Sequence, residues 1–406
     1  ILNRLAGEKA GVLAHCKDGY KLKQYVGAIP LHSCVLEVLP KIYDGEDGAT
    51  MEENRRALFW LLSFVGAFDI KESDLLKKSL EKTDFFELMK YVFARKLNDQ
   101  VRDGVYRDYV AAEGNERYLK GRLDFVKDMR RNYADKSRFY VRYDEYTEDN
   151  PMNRTLAAAA RGMVSGSGWM SRQLLAQLSA AFCDVGYENG NCLLAQRVAK
   201  NRLNERYWPS YEMAKVFLSG KVPLVYSGED LITYGFLFDM NRLFEAFVGR
   251  FLKRHAAKIL GERAEVQVQR GCFFGDLPIR PDVIIELKNR TIVLDTKYKM
   301  MPGEEESSNA DLFQVYTYCM AMKERSDSKE VVGILLYPKH TGEDPGRCKI
   351  FMVGKDTNEK NEKSKYHAKI CRRLIDLGIK NERDLISSFS KKFSELFREW
   401  IGKNGN

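Results

Sequence analysis

Apolar and polar positions recur with two different periods along this chain, and the changes of period mark its organisation. Residues 24–29 and 33–39 are short runs of strand character. Residues 54–68 and 73–95 instead carry apolar side chains three and four apart, among them Leu75, Leu76, Leu80, Phe85, Leu88, Met89, Val92 and Phe93. That spacing predicts two helices whose aromatic stripe belongs to a core. Residues 118–125 and the stretch around Val141 and Tyr143 read as strands, with Gly121 permitting a bend. Pro151 suits a helix start, and helices are expected over 152–164, 171–185 and 205–218. A linker is expected over 219–230.

Beyond Leu231 the pattern is that of a compact α/β domain. A helix over 237–260 precedes a strand over 264–269 and two further strands. A helix over 310–322, strands over 331–337 and 348–353, and helices over 367–377 and 382–400 follow. The strand–helix–strand connection through 310–322 predicts a right-handed crossover within a central mixed sheet. The expected fold is therefore α/β (α+β overall). A mixed helical and small-sheet region of residues 1–228, with more than one subdomain allowed, precedes a sheet domain of residues 229–406.

Composition narrows this only a little. A chain of 406 residues has room for two or more domains. Its net charge of +9 permits nucleic-acid binding without demanding it. Between residues 101 and 146 many tyrosines alternate with Arg and Lys. They fit either base stacking with phosphate neutralisation or a small sheet with a basic face. The eight cysteines are scattered, with no Cys-x-x-Cys and no spacing that suits zinc or an iron–sulfur cluster. They read as reduced, mostly buried thiols. The longest apolar run, 57–68, is too short for a membrane span, which needs about 20 residues. With no basic-then-apolar leader at its start, the chain is expected in the cytoplasm, away from any membrane. Gly220-Lys221 is followed by Val222 rather than Ser or Thr, so no phosphate loop is expected and no nucleotide bound by this chain itself.

The chemistry gathers between Arg280 and Lys299. Two β-branched runs, 282–287 and 291–294, flank Lys288-Asn289-Arg290, a polar break suited to a hairpin turn. Positions i and i+2 of a strand share a face, so Asp295 and Lys297 project together while Thr296 turns away. The hairpin brings Asp282 beside them. Paired carboxylates repel unless a cation neutralises them, and Mg2+, with Mn2+ as a substitute, is a hard ion suited to such oxygens. The same residues also fit strand-ending aspartates with a surface ion pair.

Pro281-Asp282 followed by Asp295-Thr296-Lys297 resembles the active-site signature of the PD-(D/E)XK nuclease superfamily. Glu245 on the preceding helix, and Gln314 and Tyr318 on the following one, are similar to its RecB-like branch. A longer pattern, Lys120 to Phe125, then Asp144-Glu145, Asn153-Arg154 and Asp295 to Tyr298, resembles the McrC family. These are endonuclease subunits of McrBC-type modification-dependent restriction systems. The resemblance implies a restriction-endonuclease-like core that cuts double-stranded DNA. It implies docking of the N-terminal region on a McrB-like AAA+ GTPase hexameric ring, which recognises methylcytosine and translocates. It also implies that Asp282, Asp295 and the Thr296 carbonyl bind Mg2+ and that Lys297 orients water or stabilises charge. Glu245 would hold a water or second metal, and Gln314 and Tyr318 would position the site. Arg280 and Lys299, which flank it, are candidates for phosphate contact. The alternatives are an adaptor that mainly activates a GTPase, with a vestigial nuclease, and a stand-alone RecB-like repair nuclease.

Overall fold

The computed structural model of the chain describes residues 13–17, 19–22, 24–30, 35–43, 48–66, 84–188, 198–219, 221–223, 232–234, 236–299, 309–325, 330–339, 350–355, 366–379 and 384–398. Leu75, Leu76, Leu80, most of the expected linker and Cys34, Cys192 and Cys348 lie outside these residues.

The first described strands are β1 (Leu13–Cys16), β2 (Gly19–Leu22), β3 (Tyr25–Pro30) and β4 (Val35–Val38), followed by helix α1 (Gly48–Val65). The chain continues through α2 (Phe85–Arg102), β5 (Asp108–Glu116), β6 (Arg122–Leu123), α3 (Phe125–Arg131) and β7 (Phe139–Thr147). Helices α4 (Pro151–Val164), α5 (Trp169–Ala181) and α6 (Trp208–Ser219) come next, then β8 (Lys221–Pro223), β9 (Ile232–Tyr234) and β10 (Phe236–Asp239). The last part holds α7 (Met240–Leu260), β11 (Glu265–Val268), β12 (Cys272–Phe274), β13 (Leu277–Ile279), β14 (Val283–Glu286) and β15 (Arg290–Thr296). It ends with α8 (Asn309–Arg325), β16 (Glu330–Pro338), β17 (Ile350–Lys355), β18 (Tyr366–Ile375) and α9 (Leu385–Leu396).

The chain divides into two compact units. In one, Ala28–Glu37 joins Thr83–Leu237; in the other, Val12–Gly27 and Val38–Lys82 join Phe238–Asn406. The first unit is a helical core bearing a small sheet. Helix α2 starts at Asp84, whose side chain accepts the Glu87 N–H at 2.8 Å. Its Phe93 and Leu97 pack with Leu156 and Ala160 of α4, Leu175 and Leu178 of α5, and Tyr211 of α6. The three-stranded sheet has the order β5-β7-β6. In and beside it, Lys127 and Arg142 pair with Glu113 and Lys120 pairs with Glu116. Residues 118–125 do not form one strand. Arg122–Leu123 pairs with β7, and Asp124 then caps α3 by accepting the Lys127 N–H.

In the second unit a six-stranded mixed sheet has the order β11-β14-β15-β16-β18-β17. β15, β16 and β18 are parallel neighbours and the other pairs antiparallel. Helix α8 connects parallel β15 and β16, as the crossover pattern requires. Its Val315 and Cys319 pack on Ile284, Val293 and Leu335 of the sheet. An aromatic group formed by Trp60 and Phe64 of α1, Phe247 and Phe251 of α7 and Phe389 of α9 packs within the same unit. Helix α1, expected with the N-terminal region, thus packs with the sheet unit.

Two further segments differ from the pattern of the sequence. The helix expected over 367–377 is strand β18, held between β16 and β17. Ile370, Cys371 and Ile375 are buried in it, and Arg372 is only 4% exposed. A strand covered on both faces has no alternation to reveal it. The expected linker over 219–230 contains β8, which pairs with β9.

Candidate active site

The hairpin of β14 and β15 builds the site. Val283 pairs with Leu294 and Glu286 with Thr291, and the Leu287 N–H donates to the Arg290 carbonyl at 2.8 Å to close the turn. Asp282 thus leaves the ladder level with Asp295. β15 lies between two other strands, so its side chains from Thr291 to Thr296 are buried, and Asp295 is only 1% exposed. Alternation along the strand places Lys297 with Asp295, and Lys297 Nζ lies 2.8 Å from Asp295 Oδ2. Thr296 does not turn away from the acids. Its N–H and its hydroxyl both donate to Asp282 Oδ2, each at 2.7 Å. These two donors draw the Asp282 carboxylate across the strand end.

From Lys297 the network runs to helix α8. Lys297 Nζ donates to Gln314 Oε1 at 3.0 Å, and Gln314 Nε2 donates to the Tyr318 hydroxyl at 2.7 Å. An ammonium only donates, so the Gln314 amide has one consistent orientation. Tyr318 is 7% exposed within the hydrophobic cluster, and its hydroxyl meets Gln314. On α7, Glu245 Oε1 accepts from Gln269 Nε2 at 2.6 Å. The flanking cations are engaged within the protein. Arg280 donates to the carbonyl and side chain of Gln269 at 3.1 and 3.0 Å, and Lys299 Nζ is 2.6 Å from Asp311 Oδ2.

Burial dominates the electrostatics. It pushes the Asp295 carboxyl up to about 7, with the neighbouring Asp282 charge adding to the rise and Lys297 opposing it. Asp282 is raised by burial against the pull of its Thr296 hydrogen bonds. Glu245 is raised by burial and by Asp282. Burial also works against the Lys297 charge, but Asp295, Asp311 and Asp282 outweigh it and hold the ammonium above its usual range. Buried carboxyls this close together favour taking up a proton or a cation over carrying their negative charges unscreened.

A hard cation answers that charge, and the available donors are oxygens. Among the described residues no three His, Cys, Asp or Glu side chains close on one point as a full ligand set. Mg2+ takes one or two protein carboxylates and keeps several of its waters, and Asp282 and Asp295 offer oxygens of that kind. The donor chemistry therefore fits Mg2+ at Asp282 and Asp295.

Two participants were not anticipated. Asp311 lies one helical turn before Gln314, a spacing that points both to one face of α8. Gln269 gave no such signal, being one of several polar residues that alternate with valines along the strand expected over 264–269.

No helix among the described residues is long and apolar enough to cross a membrane. No curated protein matches the chain. Among solved structures, one match is to a chain of the refined half-complex from a tetradecameric assembly of Thermococcus gammatolerans McrB AAA+ hexamers with bound McrC. It has a TM-score of 0.65 at 23% identity and covers 96% of this chain and 86% of that one. Another is to a chain of the Thermococcus gammatolerans McrBC complex, with a TM-score of 0.46 at 27% identity over 63% of this chain and 77% of that one. The first of these shows a shared fold across nearly the whole length. A family match spans residues 20–338 and includes the β14–β15 hairpin and its acids, so the chain belongs to the family of McrBC 5-methylcytosine restriction system components.

Proposed function

We propose that this chain is the metal-dependent endonuclease subunit of a modification-dependent restriction complex, cutting double-stranded DNA when docked on a McrB-like AAA+ GTPase ring. The observation that carries the reading is the grouping of Asp282, Asp295 and Lys297 at one strand end. Lys297 Nζ stands 2.8 Å from Asp295, and Asp282 is tied to the intervening Thr296 by two 2.7 Å hydrogen bonds. That grouping supports the reading of a PD-(D/E)XK nuclease site.

Asp282, Asp295 and the Thr296 carbonyl would hold Mg2+. The bound ion would neutralise phosphate charge and lower the pKa of a water. The chain's own residues do the rest. Lys297 presents a positive charge beside the acids, where it stabilises the extra negative charge of a phosphodiester under attack. Gln314 aims that ammonium, and Tyr318 fixes the Gln314 amide. Glu245, whose field reaches Asp282, accepts a proton or a water at the same edge. Recognition of the modified base falls to the ring, as does GTP hydrolysis. Docking falls to the N-terminal region, where the Thr83–Leu237 unit has a core of its own.

The test is to purify the chain with the GTPase encoded beside it and incubate both with plasmid DNA, methylated or not, with GTP and Mg2+. Cutting confined to methylated DNA and dependent on GTP supports the reading. Cutting by this chain alone, without a partner, favours a stand-alone nuclease instead. GTPase stimulation without any cutting favours the adaptor.

A further inference from the structure

Gln269 occupies a backbone conformation that costs a side-chain-bearing residue energy. Its φ is 49°, in the left-handed region where glycine is the unstrained choice. A glutamine retained in such a conformation calls for a reason in its side chain, and an outlier beside a reactive cluster points to function.

The surroundings supply that reason. The Gln269 N–H donates to the Asp282 carbonyl at 2.8 Å, continuing the β11–β14 ladder by one residue to the acid itself. The left-handed turn then leaves its carbonyl to accept from Arg280 Nε at 3.1 Å. The side chain is held at both ends. Oε1 accepts from an Arg280 terminal nitrogen at 3.0 Å, and Nε2 donates to Glu245 Oε1 at 2.6 Å. A guanidinium can only donate and a carboxylate can only accept, so this amide too has one consistent orientation. Neither glutamate nor lysine could replace it, because the position needs an acceptor toward Arg280 and a donor toward Glu245 at once.

We propose that Gln269 is a positioning residue of the nuclease site. It ties Glu245 on helix α7 to the strand carrying Asp282 and fixes the Arg280 guanidinium beside them. The inference rests on the nuclease reading above and adds a residue to it. Glu245 sits on a helix and Asp282 on a sheet strand, and Gln269 joins them through one side-chain and one main-chain hydrogen bond. Two of the Arg280 donors, Nε and one terminal nitrogen, are engaged by Gln269 next to that strand.

The experiment compares wild type, Gln269→Gly, Glu245→Ala and the double variant, each in complex with the GTPase ring. Glycine accepts the left-handed backbone, so Gln269→Gly deletes the side chain without straining the fold. The expected result is a roughly ten- to hundredfold fall in kcat for Gln269→Gly, as for a misplaced catalytic group. KM for DNA should change by less than about threefold, and in the Glu245→Ala background the substitution should add almost nothing. Metal-free thermal melts of the same four proteins give a second readout. The melting shift caused by Gln269→Gly should differ between the wild-type and Glu245→Ala backgrounds, because its partner is present only in the first. An equal loss of kcat in both backgrounds, an effect on KM alone, or additive melting shifts would overturn the proposal. An Asp295→Asn complex in the same assay keeps the two claims apart. If it cuts like wild type the nuclease reading fails and the melts alone decide the role of Gln269. If it is inactive while Gln269→Gly cuts normally, only the positioning role fails.

Discussion

Replacing Asp295 by asparagine should stabilise the metal-free protein, and the gain should grow with pH. Burial lifts this carboxyl from its ordinary 3.8 to about 7 in the folded state, with Lys297 already counted against the rise. Below the unfolded value both states hold the proton and the group contributes nothing. As pH climbs from there to the folded value, only the unfolded chain releases the proton, so folding loses about 1.4 kcal/mol per pH unit. Above the folded value the loss is constant at about 4 kcal/mol. Asparagine keeps the shape and never ionises, so it escapes this loss. Glu245 and Asp282 are raised in the same direction and remain in both proteins, so their slope is shared. Thermal melts with a chelator present, from about pH 5 to about pH 8.5, measure the difference. The gap should widen by about 3 kcal/mol across that range, which at a few degrees per kcal/mol is on the order of 10 °C. Excess Mg2+ should raise the wild type selectively and close the gap, since a ligand stabilises the state that binds it. A gap that does not change with pH, or an Asp295→Asn protein that melts lower at about pH 8, would refute the electrostatic account.

Other substitutions test separate parts of the account. Lys297→Met removes the cation 2.8 Å from Asp295. It should lower cleavage at least about a hundredfold with GTPase stimulation unchanged, in the range seen when a charge-stabilising donor is lost. Gly333→Ala would put a methyl 2.5 Å from Val315 Cγ1 and 2.8 Å from Cys319 Sγ, where β16 meets α8. Chemical denaturation should show a loss of about 1–3 kcal/mol from overpacking. Gly121→Ala would place its methyl 2.3 Å from the Arg142 carbonyl at a φ of 66°. Amide exchange should then report loosening of β6 and β7, while metal affinity of the sheet unit stays as in wild type.

The candidate site was largely legible in the sequence because its parts lie on short, regular elements. The hairpin announces itself by two β-branched runs around a polar turn, and period-2 alternation puts Lys297 on the face of Asp295. Glu245, Gln314 and Tyr318 lie on helices with evident spacing. Strand β18 was not legible. Its apolar residues Ile370, Cys371, Leu374 and Ile375 also fit a helical spacing, and an internal strand has no solvent face to impose alternation. Gln269 was hidden for another reason. Its importance comes from partners 24 and 11 residues away, brought together only when helix α7 and the β11–β14 ladder are in place. The same holds for α1, whose Trp60 stacks on Phe389 from the far end of the chain at 4.7 Å.

In the proposed division of labour, Asp295 and its neighbours cut DNA while a partner supplies GTP-driven movement. The most direct measurement follows GTP hydrolysis and cleavage of methylated plasmid in one reaction, with wild-type and Asp295→Asn chains each assembled on the ring. Both chains should stimulate the GTPase to the same extent, and only the wild type should cleave. Cleavage by the Asp295→Asn complex at the wild-type rate would contradict that division of labour.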